Sequence, residues 1–150
     1  MDPTKRAVVA HLHRLLAEKV AASADDIAAT RAAMGSDTKS SAGDKHEVGR
    51  AMMQQELDKQ AARHARLLAW QSELRRLPWD HASTTAGPGS LVATDQGDFL
   101  IGIGLGTVQV EGRTCHAVSP ASPIGQALMG RAAGDVLEFN GRRATVRRVV

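Results

Sequence analysis

"KSSAGDKHEVG", Lys39 to Gly49, lies between two long stretches of helical periodicity and holds two carboxylates, Asp44 and Glu47, three residues apart. Its reading decides the fold of the first half. Upstream, Asp2 suits a helix N-cap, and Pro3 suits the first helical position, where a missing N–H costs nothing. Val9, Leu12, Leu16, Val20, Ile27 and Met34 recur at spacings of three, four or seven, with alanines filling much of the rest. The spacing predicts a helix over 3–34, stopped by Gly35. Downstream, Met53, Leu57, Gln60, His64, Leu67, Gln71 and Leu74 alternate spacings of four and three, the seam of a short coiled coil with polar residues at three positions. That predicts a second helix over 44–77, ended by Pro78, which has no N–H to continue it. Neither helix shows the broad apolar face that a globular core requires. Two antiparallel helices zipped along a narrow stripe satisfy the pattern, each about 48 Å long at roughly 1.5 Å per residue. The quoted stretch then belongs to the bend, with the tip near 35–47.

The pattern changes after Pro78. "HASTTAGPGS", 81–90, is small, polar and rich in Gly and Pro, so 79–90 reads as a linker. Beyond it the period becomes two, or the runs become short and β-branched. "SLVAT", "DFLIGIGLG", "TVQVEG", "RTCHAV", "DVLEFNG" and "RATVRRVV" are strand candidates broken by Gly, Asp and Asn. One short helix is expected among them, with Ser122 as N-cap, Pro123 first and Gly130 as its stop. The expected fold class is α+β in two domains: an antiparallel coiled-coil hairpin over 1–78, the linker, and a small β-rich domain over 91–150 with one short helix.

Composition narrows the function classes. Aromatic residues make up 3% of the 150, with no Tyr, so the core must be aliphatic and stacking platforms for bases are disfavoured. A net charge of +3 is too small to argue for duplex DNA binding by itself. The single cysteine, Cys115, excludes an internal disulfide and suits a reducing, cytoplasmic setting. No run of about 18 apolar residues exists to span a membrane, and the N-terminus carries no cleavage signature.

"VSPASPIGQALMGRAAGDVLEF", Val118 to Phe139, resembles the C-terminal signature of the bacterial Gre-type transcript cleavage factors. Ser119-Pro120, Ser122-Pro123-Ile124, Ala127-Leu128, Gly130 and Gly134-Asp135 fall in the family's order, and the layout of hairpin, linker and small domain agrees. At the bend, Gly43-Asp44-Lys45-His46-Glu47 keeps the family's Gly-Asp, two residues, Glu spacing. Lys45, His46 and Val48 depart from its usual tip, as in a divergent subgroup of Gre-domain proteins. The resemblance implies an FKBP-like C-terminal domain and bacterial RNA polymerase as partner, with nascent RNA met only inside that complex. It implies a monomer whose hairpin enters the secondary channel, where Asp44 and Glu47 hold Mg²⁺ shared with the polymerase and not bound tightly alone. The chain would then stimulate the polymerase's own nuclease rather than be an enzyme. Lys59, Arg63 and Arg66 would meet RNA or acidic channel walls. A second reading stays open, a secondary-channel binder that modulates or inhibits the polymerase without stimulating cleavage.

Each residue also has a plain reading. Acids in a helix's first turn favour its positive end by roughly 0.3–1 kcal/mol each, which accounts for Asp44 and Glu47 without a metal. Asp37 is a third acid in the bend. Lys59, Arg63 and Arg66 suit a solvated helix surface, and "RRATVRR", 142–148, suits the exposed positions of a last strand. His64 fits the seam as a hydrogen-bonded residue. "GIGLG", 102–106, lacks the strand-to-helix context of a nucleotide loop and reads as a glycine-rich bend. Phe99 and Phe139 are few for the aromatic-lined pocket of a prolyl isomerase. A coiled-coil scaffold for some other partner is a further alternative.

Overall fold

The computed structural model describes residues 1–37 and 43–150, and the side chains of 1–36 and 47–150. Helix α1 spans Pro3–Asp37. Asp2 caps it, its Oδ1 accepting the N–H groups of Thr4 at 2.9 Å and Lys5 at 3.1 Å. The helix runs two residues past the expected stop. Gly35 is not in the left-handed conformation that would end it. A glycine costs only about 1 kcal/mol against alanine in a helix, too little to break one already propagating. Helix α2 spans Gly43–Arg76. The Leu77 N–H still reaches the Glu73 carbonyl at 3.2 Å, and Pro78 then offers no donor.

The second half forms β1 (Leu91–Thr94), β2 (Gly97–Ile101), β3 (Gly106–Val110), β4 (Arg113–Val118), helix α3 (Pro123–Leu128), β5 (Val136–Phe139) and β6 (Arg142–Val149). All six strands lie in one sheet of order β3-β4-β2-β1-β6-β5. Only the β2–β4 pair is parallel; the other neighbours are antiparallel. The glycine-rich run after β2 is a bend, as its composition suggests.

The chain divides into two compact units, one of Met1–His13 with Glu73–Val150, the other of Arg14–Ser72. The second unit is the helical pair. Leu16, Ser23 and Leu67 are buried in it, while Val20, Ile27, Met34, Met53, Leu57, Gln60 and His64 are half-buried. Ser23 Oγ and His64 Nδ1 meet at 3.2 Å. Ser23 precedes the bend and His64 follows it, so this contact sets α1 and α2 antiparallel. Ser23 is the seam position that periodicity missed, because serine carries no hydrophobic signal.

The first unit has a sheet buried on both faces. Val92 stands opposite Phe99, and Phe99 opposite His116. On this face Val92, Ile101, Leu137, Ala144 and Val146 pack with Leu128 of α3. The alternate positions, Leu91, Leu100, Cys115 and Ala117, are buried on the other face. Val8, Val9, Leu12, Leu74 and Trp79 join the buried set of this unit. Trp79 Nε1 donates to the Leu74 carbonyl at 2.7 Å. A Cβ on Gly102 would come within 2.8 Å of Leu77 and 2.9 Å of Trp79. Part of 79–90, small and polar by composition, is packed and hydrogen-bonded, while Asp80, His81, Ala82, Thr84, Thr85 and Pro88 are exposed. Ala86 and Ser90 are buried. Ala86 donates to the Arg131 carbonyl and accepts from the Gly130 N–H, both at 2.7 Å.

Candidate functional site

Two places could carry function, one in each unit. In the helical unit, α2 starts at Gly43, which puts Asp44 and Glu47 in its opening turns. Glu47 is exposed. The side chains of Asp44 and Asp37 lie outside the described residues. Lys59, Arg63 and Arg66 are all exposed. At i, i+4 and i+7 they form one stripe about 10 Å long. Each lies one residue before a seam position (Gln60, His64, Leu67), so the stripe borders the seam. Among the described residues the ion pairs are Arg143–Glu138 and Arg148–Asp2, so this stripe is free of internal carboxylates. The seam beside it is imperfect. Gln60 Oε1 is buried without a partner, while its Nε2 reaches Glu56 at 3.4 Å.

In the sheet unit the Ser119–Asp135 motif builds a tight turn and a capped helix. Ser122 Oγ donates to the Ser119 carbonyl at 2.6 Å and accepts the Gly125 N–H at 3.1 Å. Ser119 Oγ accepts the Ala121 N–H at 3.2 Å. Pro123 occupies the first turn of α3, where no N–H is needed. A Cβ on Gly125 would sit 2.0 Å from the Ser119 carbonyl oxygen, so the turn and the helix close only over a bare Cα. Gly130 and Gly134 have φ of +78° and +95°, a conformation that favours glycine. Asp135 Oδ2 accepts the Ala132 N–H at 2.8 Å. Of the motif's side chains, Ser119, Pro120, Ser122, Ile124 and Asp135 are half-buried, and Ile124 packs against the core.

A cleft of about 520 Å³ opens between α3 and the sheet. Phe99, Val118, Ile124, Leu128, Leu137 and Phe139 give it an apolar lining, with Gln96, Thr107, His116, Asn140 and Arg142 also around it. The rings of Phe99 and His116 lie 5.0 Å apart at 31°. Thr107 Oγ1 and His116 Nδ1 meet at 2.9 Å. Both phenylalanines of this half therefore line one cleft. The sequence shows how few the aromatics are but not that they converge, because the cleft depends on long-range pairing such as the β1–β2–β4 register that aligns Val92, Phe99 and His116. Cys115 lies on the opposite face. Burial pushes its thiol up to about 11, with the Asp98 charge adding and the Leu100 backbone hydrogen bond opposing, so it is an unreactive core residue.

Among the described residues no three His, Cys, Asp or Glu side chains gather as a metal site, and no helix is long and apolar enough to cross a membrane. No protein-family model, curated protein or solved structure matches the chain.

Proposed function

We propose that the chain is a Gre-like transcription elongation factor with an FKBP-like C-terminal domain. It binds bacterial RNA polymerase, inserts the α1–α2 hairpin into the secondary channel and stimulates cleavage of backtracked RNA. One observation carries this reading. The Ser119–Asp135 motif, which resembles the Gre signature, follows two helices of 35 and 34 residues that meet as a hairpin. Paired helices make a body thin enough for a channel closed to a globular domain. Glu47 adds support as an exposed carboxylate, a hard oxygen donor of the kind Mg²⁺ takes. Asp44 and Glu47 together would hold the ion beside the polymerase's own carboxylates. When bound there, Mg²⁺ supplies a Lewis acid and an activated water for phosphodiester hydrolysis. Lys59, Arg63 and Arg66 attract RNA phosphates or acidic channel walls. The polymerase remains the nuclease.

The second reading, a channel binder that modulates or inhibits without cleavage, rests on Lys45, His46 and Val48, where the tip departs from the family. Cleavage assays on backtracked polymerase separate the two. Under the first, the wild-type chain shortens the transcript in Mg²⁺, and Asp44→Ala with Glu47→Ala returns cleavage to background while leaving polymerase binding intact. If the wild-type chain binds polymerase but shortens no RNA at any Mg²⁺ concentration, the second reading replaces the first. If it does not co-purify with polymerase, both fail.

A further inference from the structure

A cavity of about 390 Å³ lies on the face of the sheet opposite the apolar cleft, and Arg113, Arg147 and Arg148 line it with Asp98 and Thr4. All five belong to the first compact unit. Strand pairing brings them together. Ala93 stands opposite Asp98 on one side and Arg148 on the other, and Asp98 stands opposite Cys115, two residues after Arg113. Paired residues and residues two apart share a face, so Asp98, Arg113 and Arg148 stand on the same one. In a regular strand Arg147 would stand on the other. The register of β6 against β1 shifts by one there, with Val149 opposite Val92 and Val146 opposite Thr94. Val146 and Val149 both pack with the core cluster, and the bulge leaves the two arginines between them at one cavity.

Like charges do not gather without cost. Asp2 pairs with Arg148. Among the described residues the guanidiniums of Arg113 and Arg147 have no hydrogen-bond or ion-pair partner, and neither does the Asp98 carboxylate. Two forked donors and one bare acceptor therefore line the same cavity. Guanidinium forks match the oxygens of phosphate or sulfate. The carboxylate separates those two anions. It only accepts hydrogen bonds, so it repels fully ionised sulfate and can accept from a phosphate that keeps a P–O–H. Leu91, Leu100 and Ala117, neighbours on this face, are buried and aliphatic. The cations thus form a point and not a track, which suits one compact anion over a nucleic-acid backbone.

We propose that this cavity binds a single phosphate group that retains a proton, carried by free hydrogen phosphate or by a phosphomonoester. Arg113 and Arg147 hold the unprotonated oxygens, and Asp98 accepts the P–O–H. No covalent bond is made or broken. The site stands independently of the polymerase reading.

The test is isothermal titration calorimetry of the full chain at pH 7 and constant ionic strength, with inorganic phosphate, sulfate and methyl phosphate as probes. Inorganic phosphate is expected to bind saturably and at least about tenfold tighter than sulfate. Arg113→Gln and Arg147→Gln, at positions exposed to solvent, should each weaken phosphate about tenfold through loss of a charge-assisted pair. Arg142→Gln, beside the cleft on the other face, should leave phosphate binding unchanged. Asp98→Asn should bring sulfate to within about twofold of phosphate, because an amide can donate as well as accept. Methyl phosphate distinguishes the sources, since a phosphomonoester recovers its P–O–H only near about pH 6. Tighter binding than inorganic phosphate at that pH assigns the site to an ester, and weaker binding assigns it to the free ion. Phosphate binding that does not saturate, sulfate binding as tightly as phosphate, or an equal loss in Arg142→Gln overturns the proposal.

Discussion

The helical unit and the sheet unit bury their side chains in opposite ways. In the helical unit a single narrow seam is shared by Leu16 and Leu67 with Ser23, Gln60 and His64, and most of its positions remain half-buried. In the sheet unit Val92, Leu100, Ile101, Leu128 and Val146 are all at or below 1% exposure. A seam one side chain wide leaves most of each helix surface unconstrained by folding, so charges such as Lys59, Arg63 and Arg66 can be placed for a partner. A sheet packed on both faces leaves little such freedom, and its motif residues are absorbed by capping, turning and close approach. Side chains fixed by folding are therefore concentrated in the sheet unit, and side chains that folding leaves free are concentrated in the helical unit.

The largest expected effect would come from breaking the crowded side of this contrast. Gly125→Ala drives a methyl into the Ser119 carbonyl and should destabilise the sheet unit by about 3 kcal/mol or more. Urea unfolding followed by emission from the buried Trp79, in a Trp70→Phe background, reads this; an unchanged midpoint would mean the turn relaxes freely. A smaller effect of opposite sign sharpens the loose side. Gln60→Leu removes the buried, unpartnered Oε1 from the seam and should stabilise the helical unit by about 1 kcal/mol. The same denaturation followed by Trp70, in a Trp79→Phe background, should show a higher midpoint. A lower one would mean that Gln60 fixes the register of the helices.

The smallest effect concerns Asp2. Burial alone would raise its carboxyl, but the Lys5 N–H, the charge and hydrogen bond of Arg148 and the Thr4 N–H together hold it below its ordinary 3.8. A lowered carboxyl contributes stability above its ordinary value and loses it as the pH falls through the folded value. Wild-type stability should therefore decline on acidification below about pH 4. Asp2→Asn, which keeps a cap, should flatten that part of the profile by less than about 1 kcal/mol, because Arg148 is exposed to solvent. Parallel profiles for the two proteins would remove the ion pair from the account.

Much of this was legible in the sequence. The heptad seam of α2 and the Ser122–Pro123 start of α3 are local patterns with local causes, and six strand candidates became six strands. The burial of Lys5 was not legible, because a lysine in a first helical turn looks solvated until the surrounding unit closes over it. The packing of 79–90 was hidden for a similar reason. Alanine, serine and glycine carry no periodic signal, and their burial depends on partners such as Arg131 and Ile101 that lie far away in sequence. Parallel pairing of β2 with β4 belongs to long-range topology. At the proposed tip, a one-dimensional spacing of acids names Asp44 and Glu47 but cannot distinguish a metal ligand from a helix start.

The strand order has a consequence for synthesis. β6 comes last in chain order yet lies between β1 and β5. While the chain is being translated, β1 and β5 each wait with an open edge, and no earlier segment can stand in between them. Closure of the sheet therefore waits for β6, and a nascent chain stalled before Arg142 would present two unsatisfied edges to whatever chaperone meets it first.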